Sequence, residues 1–253
     1  MPGISKEEFL KQIGAALGNH QNRTKPDYPP LNLAVEDLRQ RLIDIDSKAN
    51  ARRDELLDQL ADMAGKQGWV TYNATSSDDA ASYVIDTARK AAAKVIVRSD
   101  HEVFQRVVLD SPVHQEGIDL QIAAHHSGVS REVLREMMAS ADIGVTGVDY
   151  AIAETGTVVL VSRQGVSRVV SLLPRIHIAL VEPGQVYESF DDLWAFRRMT
   201  FLENGDMGSY LSLISGPSRT ADIEQQLVVG VHGPVEVHMV LLRGSYGTDT
   251  STE

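Results

Sequence analysis

The sequence predicts an α/β protein: a mostly parallel sheet flanked by helices, with an N-terminal helical extension. Three observations carry that expectation. From Trp69 onward, short runs rich in β-branched residues alternate with stretches of helical period, the pattern of βαβ units. Residues 1–66 instead repeat leucine, isoleucine and methionine at three- and four-residue steps amid dense charge. Gly65 and Gly68 mark the change of period between them, so the expected division is 1–66 as the extension and 67–253 as the α/β domain.

Taken in order, Ser5 with Glu8 three residues later is a capping-box pattern. Phe9, Leu10, Ile13, Ala16 and Leu17 follow at helical spacing, which predicts a short amphipathic helix. Residues 18–30 are polar and hold three prolines, which marks a loop or linker. Leu38, Leu42 and Ile45, then Leu56, Leu57, Leu60 and Met63, predict one long helix or two consecutive ones over about 35–66. Beyond them, residues 69–73 read as a strand, 78–92 as a helix, 94–97 as a strand, 102–108 as a helix, 119–123 as a strand and 129–140 as a helix.

Residues 142–162, DIGVTGVDYAIAETGTVVLVS, form the centre of the chain. Their β-branched residues predict a hairpin in which 150–154 and 157–162 pair around Thr155-Gly156. Alternation along the first strand puts Tyr150, Ile152 and Glu154 on one face and Asp149, Ala151 and Ala153 on the other, so Asp149 and Glu154 are no carboxylate pair. Asp142 is expected to act as a turn residue for the glycine-rich GVTGV that follows it. Later elements are a strand at 176–181, a helix over 191–202 ending near Gly205, a strand at 210–214, a helix over 221–227 and a final strand at 235–242. The tail from Gly244 is small and polar.

Composition excludes several classes. A formal net charge of −11 argues against a nucleic-acid binder, whose surface must neutralise phosphates. With no cysteine, the chain forms no disulfide, has no thiol nucleophile and ligates no cysteine-bound zinc or iron–sulfur cluster. No apolar run reaches the roughly 20 residues of a membrane-spanning helix, and Lys6, Glu7 and Glu8 stand where a signal peptide would be apolar. A cytoplasmic location is therefore expected, with no cofactor in this chain.

Two segments carry candidate chemistry. At the hairpin tip, a carboxylate, two hydroxyls and the bare backbone of glycine (Glu154, Thr155, Gly156 and Thr157) converge, and glycine lets a ligand approach the main chain. The plain alternative is a solvated turn. The second segment, SGPSRTADIE from Ser215, reads as a Gly/Ser turn opening a helix, whose unpaired N–H groups attract anions; Arg219 adds a planar cationic fork. Its alternative is that Thr220 merely caps the helix while Asp222 and Glu224 complement the dipole. Among the histidines, His232, Glu236 and His238 would share a strand face, but Gly233-Pro234 interrupts it, so no metal site is expected. His177 opens an apolar strand and His125-His126 follows another. There is no Walker loop, GxGxxG, HExxH or GxSxG pattern.

The central stretch, SLLPRIHIALV from Ser171, LISGPSRTADIE from Leu213 and GVHGPVEVHMVLL from Gly230 together resemble the LUD-domain family, in its lactate-utilisation branch. The resemblance implies a fold like that of the sugar-phosphate isomerases and CoA transferases. It also implies a part in oxidising L-lactate to pyruvate within a multi-protein system whose iron–sulfur clusters sit in another subunit. The positions that match the family's motifs are Glu154, Thr155, Gly156 and Thr157, then Ser215, Gly216, Ser218, Arg219, Thr220 and Asp222, then His177 and His232. On this basis Arg219 and the helix start are expected to hold a small carboxylate or phosphate, with Glu154 or His232 as the acid/base candidate beside it. The rival readings are a stand-alone sugar-phosphate or acyl-CoA enzyme, which the same fold allows, and a non-catalytic assembly or regulatory subunit.

Overall fold

The computed structural model describes residues 5–16, 33–123, 131–221 and 227–244; the predicted loop at 18–30, His125-His126 and Asp222 lie outside them. α1 (Lys6–Ala16) begins after Ser5, whose hydroxyl accepts the Glu8 N–H at 3.2 Å, as the capping pattern predicts. α2 (Val35–Ala51) and α3 (Arg53–Gln67) are consecutive helices broken at Arg52, whose guanidinium pairs with Glu55 and Glu188. α3 stops on the left-handed Gly68, and the Trp69 N–H turns back to the Ala64 carbonyl.

The α/β alternation then follows: β1 (Val70–Ala74), α4 (Ser77–Lys90), β2 (Val95–Arg98), α5 (Asp110–Gln115), β3 (Asp119–Ile122), α6 (Arg131–Ser140) and β4 (Ile143–Gly147). Ser76 caps α4 by accepting the Asp79 N–H at 3.0 Å. The helix expected over 102–108 is a single 3-10 turn, Glu102–Gln105, because EVFQRVV is rich in β-branched and aromatic residues that disfavour its extension. The six-residue α5 is too short for a periodic signal.

β5 (Tyr150–Ile152), β6 (Thr157–Ser162), β7 (Ile176–Val181), β8 (Val186–Tyr187), α7 (Phe190–Asn204), β9 (Tyr210–Ile214), β10 (Arg219–Ala221), β11 (Leu227–Val229) and β12 (Glu236–Leu242) complete the chain. Two readings are corrected here. GVTG is no turn but the fully buried β4, and the Asp142 carboxylate accepts the Lys94 and Val95 N–H groups at 2.7 and 3.0 Å, tying the starts of β2 and β4 together. The small residues of β4 serve packing: a Cβ on Gly144 would overlap the Val170 carbonyl. The described ends of the helix expected over 221–227 are strands instead, Ala221 and Leu227 facing each other across the antiparallel β10–β11 pair, while residues 222–226 lie outside the described residues. The β-branched Val228 and Val229 prefer that extended state.

The main sheet has the order β1-β12-β7-β4-β2-β3 with every pairing parallel, and a smaller sheet, β8-β5-β6-β9, packs on one face. β7 is buried along its whole length, as an interior parallel strand must be. Its Ile176, Ile178 and Leu180 pack with Val84 and Ile85 of α4 and Val113 of α5. Ala179 and Val181 point the other way, into a cluster with Leu38, Leu56, Leu57 and Leu60. α2 and α3 therefore share a core with the sheet. No helix among the described residues is long and apolar enough to cross a membrane.

Candidate functional site

The hairpin tip and the Ser215–Arg219 loop do meet. The hydroxyls of Thr155, Thr157 and Ser215 form a chain with both links at 2.7 Å, and Thr157 is fully buried. What clamps the two segments together is the carboxyl end of α3. Gly156 lies at φ 66°, and a Cβ there would come within 2.6 Å of the Ala64 Cα. Gly216 likewise leaves room for the Gln67 carbonyl, which accepts from Arg219 Nη2 at 2.7 Å. A guanidinium on the last carbonyls of a helix complements both their lone pairs and the dipole. The glycine backbone at the tip is thus closed off by α3 rather than left open.

Beside this junction lies a cavity of about 480 Å³, lined by five of the nominated residues: Ser215, Gly216, Ser218, Arg219 and His232. Among the described residues its lining contains no acidic side chain, and Arg219 is the charge that sets its character. The other nominees fall elsewhere. Thr155 and Thr157 reach Ser215 through the hydroxyl chain, and Thr220 lies within β10. Glu154 turns to the start of α7, where its carboxylate accepts the Phe190 N–H at 2.9 Å. Arg219 and Thr220 lie in β10, and among the described residues the polar side chains offered to an anion are hydroxyls, the guanidinium and the His232 ring. The cavity opens at the amino ends of β7 and β12, next to Val237.

His177 is completely buried beside Val237 in the sheet. Its Nε2 pairs with the Thr146 hydroxyl at 2.9 Å, its Nδ1 has no partner among the described residues, and the Trp69 ring lies 6.2 Å away. Burial, helped by neighbouring His238, pushes its pKa down to about 3 from the ordinary 6.5. The unfolded chain therefore takes up a proton near pH 6.5 that the folded chain refuses, and stability falls as the pH drops from there toward about 3. His177→Gln is expected to lose about 2 kcal/mol less than the parent between pH 7 and pH 5, by urea unfolding at each pH. An equal loss in both would remove His177 from the acid response. His238, for its part, is held by the Tyr83 hydroxyl at 2.8 Å and by Glu236 at 2.7 Å.

A second cavity, of about 430 Å³, was not singled out from the sequence. It sits at the carboxyl ends of β2 and β4 and is lined by Arg98, Asp100, His101, Glu102, Phe104, Gln105 and Arg163. Between these strands the chain reverses its direction of winding: β2 leads outward to β3, and β3 crosses back to β4. Open α/β sheets place their ligands in the crevice at such a point. The signal available was RSDH, four polar residues directly after a predicted strand. His101 is buried against Gly147, which has no side chain to obstruct it, and its Nδ1 accepts the Val103 N–H at 3.2 Å. Burial lowers its pKa, opposed by the charge of Asp149.

Fold and cavities together define a layered α/β protein with a polar cavity at each end of one parallel sheet. A family model described as the LUD domain matches residues 57–242, and the chain belongs to the LUD-domain family. Lactate utilization protein C of Halalkalibacterium halodurans is 27% identical over 243 residues, covering 94% of this chain and 97% of that protein. Lactate utilization protein C of Geobacillus thermodenitrificans is 30% identical over 240 residues, covering 94% and 96%. Lactate utilization protein B of Bacillus subtilis is 26% identical over 250 residues, which span 79% of this chain but 50% of that longer protein. Among solved structures, a DUF162 family protein from Deinococcus radiodurans superposes with a TM-score of 0.51 at 24% identity, covering 75% of this chain and 98% of that one, a likeness of fold.

Proposed function

We propose that the chain is a subunit of a lactate-utilisation system that converts L-lactate to pyruvate together with a partner carrying iron–sulfur clusters. The observation that carries this reading is the match, along 94% of the chain, to proteins named lactate utilization protein C. Oxidising the alcohol of lactate to a ketone releases two electrons and two protons. A chain without cysteine offers no thiolate to hold a cluster, so the electrons leave through the partner. The share of this subunit is to hold a small carboxylate or phosphate in the cavity beside α3. Arg219, pinned by Gln67, supplies the charge, and Ser215 and Ser218 supply hydroxyl donors. Of the two acid/base candidates, His232 lines this cavity while Glu154 caps α7, so that role falls to His232.

Two measurements test the reading. The purified chain, given L-lactate and an artificial electron acceptor, is expected to show no turnover until the iron–sulfur subunit is added. Turnover by the chain alone would overturn the division of labour. Inorganic phosphate is expected to raise the thermal midpoint of the parent, and Arg219→Ala is expected to require about tenfold more phosphate for the same rise, the worth of one charge-assisted contact. An unchanged phosphate response would remove the cavity beside α3 as the anion site.

A further inference from the structure

The crevice at the carboxyl ends of β2 and β4 holds chemistry that the foregoing reading does not use. Arg98, the last residue of β2, is only 8% exposed. Its guanidinium lies over the Phe104 ring, 4.8 Å from the centroid, which fixes the plane and leaves the edges for hydrogen bonding. Nη1 donates to the Ser99 carbonyl at 3.2 Å. The opposite edge, Nε with Nη2, is the one that clamps a carboxylate side-on, and it is poorly filled. Nε has no partner among the described residues, and Nη2 stands 3.4 and 3.3 Å from the two Asp110 oxygens, beyond the usual charge-assisted distance. Asp110 is half exposed at the start of α5 and is free to turn into water.

The rest of the lining narrows the ligand class. Arg163, paired with Asp149 at 2.6 Å, supplies a second cation. Because the Val103 N–H occupies Nδ1 of His101, the neutral ring carries its proton on Nε2, a donor. Asp100 and Glu102 add two carboxylates to the wall, besides the Asp110 and Asp149 that already attend the arginines. A phosphate dianion would bring two negative charges to an acid-rich wall. A single carboxylate brings one, replaces Asp110 like for like, and leaves the wall carboxylates to accept from a hydroxyl.

We infer that this crevice binds a small monocarboxylate bearing a hydroxyl on the adjacent carbon. The acid group takes the Nε–Nη2 edge of Arg98 in place of Asp110, and the hydroxyl donates to Asp100 or Glu102. The site lies at the opposite end of the sheet from the Arg219 cavity, and Arg219 does not line it.

Calorimetric titration of the full-length chain with L-lactate, acetate and inorganic phosphate tests this. L-lactate is expected to bind more tightly than acetate, which lacks the hydroxyl. Arg98→Lys, which keeps the charge and loses the fork, is expected to weaken L-lactate about tenfold. Asp110→Asn, a change at a half-exposed position, is expected to tighten it. Arg98→Lys is expected to leave phosphate binding unchanged while Arg219→Ala weakens it, so the two cavities report separately. Equal affinity for acetate and L-lactate, an Asp110→Asn protein that binds no better than the parent, or loss of phosphate binding through Arg98→Lys would each overturn the assignment. Should Arg98→Lys fail to fold, the Asp110→Asn titration decides.

Discussion

Gly156→Val is expected to lower the free energy of unfolding by about 3 kcal/mol or more, the sum of a strained backbone and an overpacked contact. Residue 156 sits at φ 66°, where a β-branched side chain crowds its own carbonyl. The new Cβ would also press on the Met63 carbonyl carbon and the Ala64 Cα of α3, each 2.6 Å away. Both are main-chain atoms, so no rotamer change relieves the clash. The expected result is a shift of the urea midpoint with the last turn of α3 lifted off the hairpin. Gly65 gives the control: a Cβ there meets nothing within 4 Å, and Gly65→Ala is expected to stabilise by about 0.5–1 kcal/mol through helix propensity alone. A Gly156→Val protein as stable as the parent would mean that α3 does not bear on the tip.

Leu60→Ala is the second large effect. Leu60 has no exposed surface and lies in the same apolar cluster as Leu56, Leu57, Val181 and Leu241. Truncating a buried leucine to alanine costs about 2–5 kcal/mol, the spread depending on how far the neighbours collapse. For a domain of this size that is a fall in thermal midpoint on the order of 10 °C. The shape of the transition matters as much as its position. Because α2 and α3 share their core with the sheet, the whole chain is expected to melt earlier in one step. A main transition left in place, with only a minor early one moved, would mean that these helices fold on their own.

The sequence made the sheet legible where local pattern and tertiary role agree. IHIALV is apolar on both faces because β7 lies in the middle of a covered parallel sheet. Ser76 and Ser5 begin helices as capping residues do. The pattern misled where a neighbour outvoted the segment. Residues 221–227 have helix-forming acids and glutamines, yet their ends pair as strands, and GVTG reads as a turn until the Val170 carbonyl is seen to require glycine. The candidate site divided the same way. Ser215, Ser218, Arg219 and His232 were found as a group because their motifs lie close to strand ends in the chain. Arg98, His101 and Arg163 were not, because their meeting depends on the crossing from β3 back to β4, which no local stretch records.

The pairing of β1 with β12 has a consequence for biosynthesis. Val70 aligns with His238, so among the described residues the earliest strand of the sheet has the latest one as its sole strand neighbour. A polypeptide still emerging from the ribosome holds β1 with no strand paired to it, and the sheet closes only after synthesis has reached Leu242. Stop codons that remove β12 excise an interior slat rather than trim an edge, and the nascent product is left for chaperones or proteases instead of settling as a shortened fold.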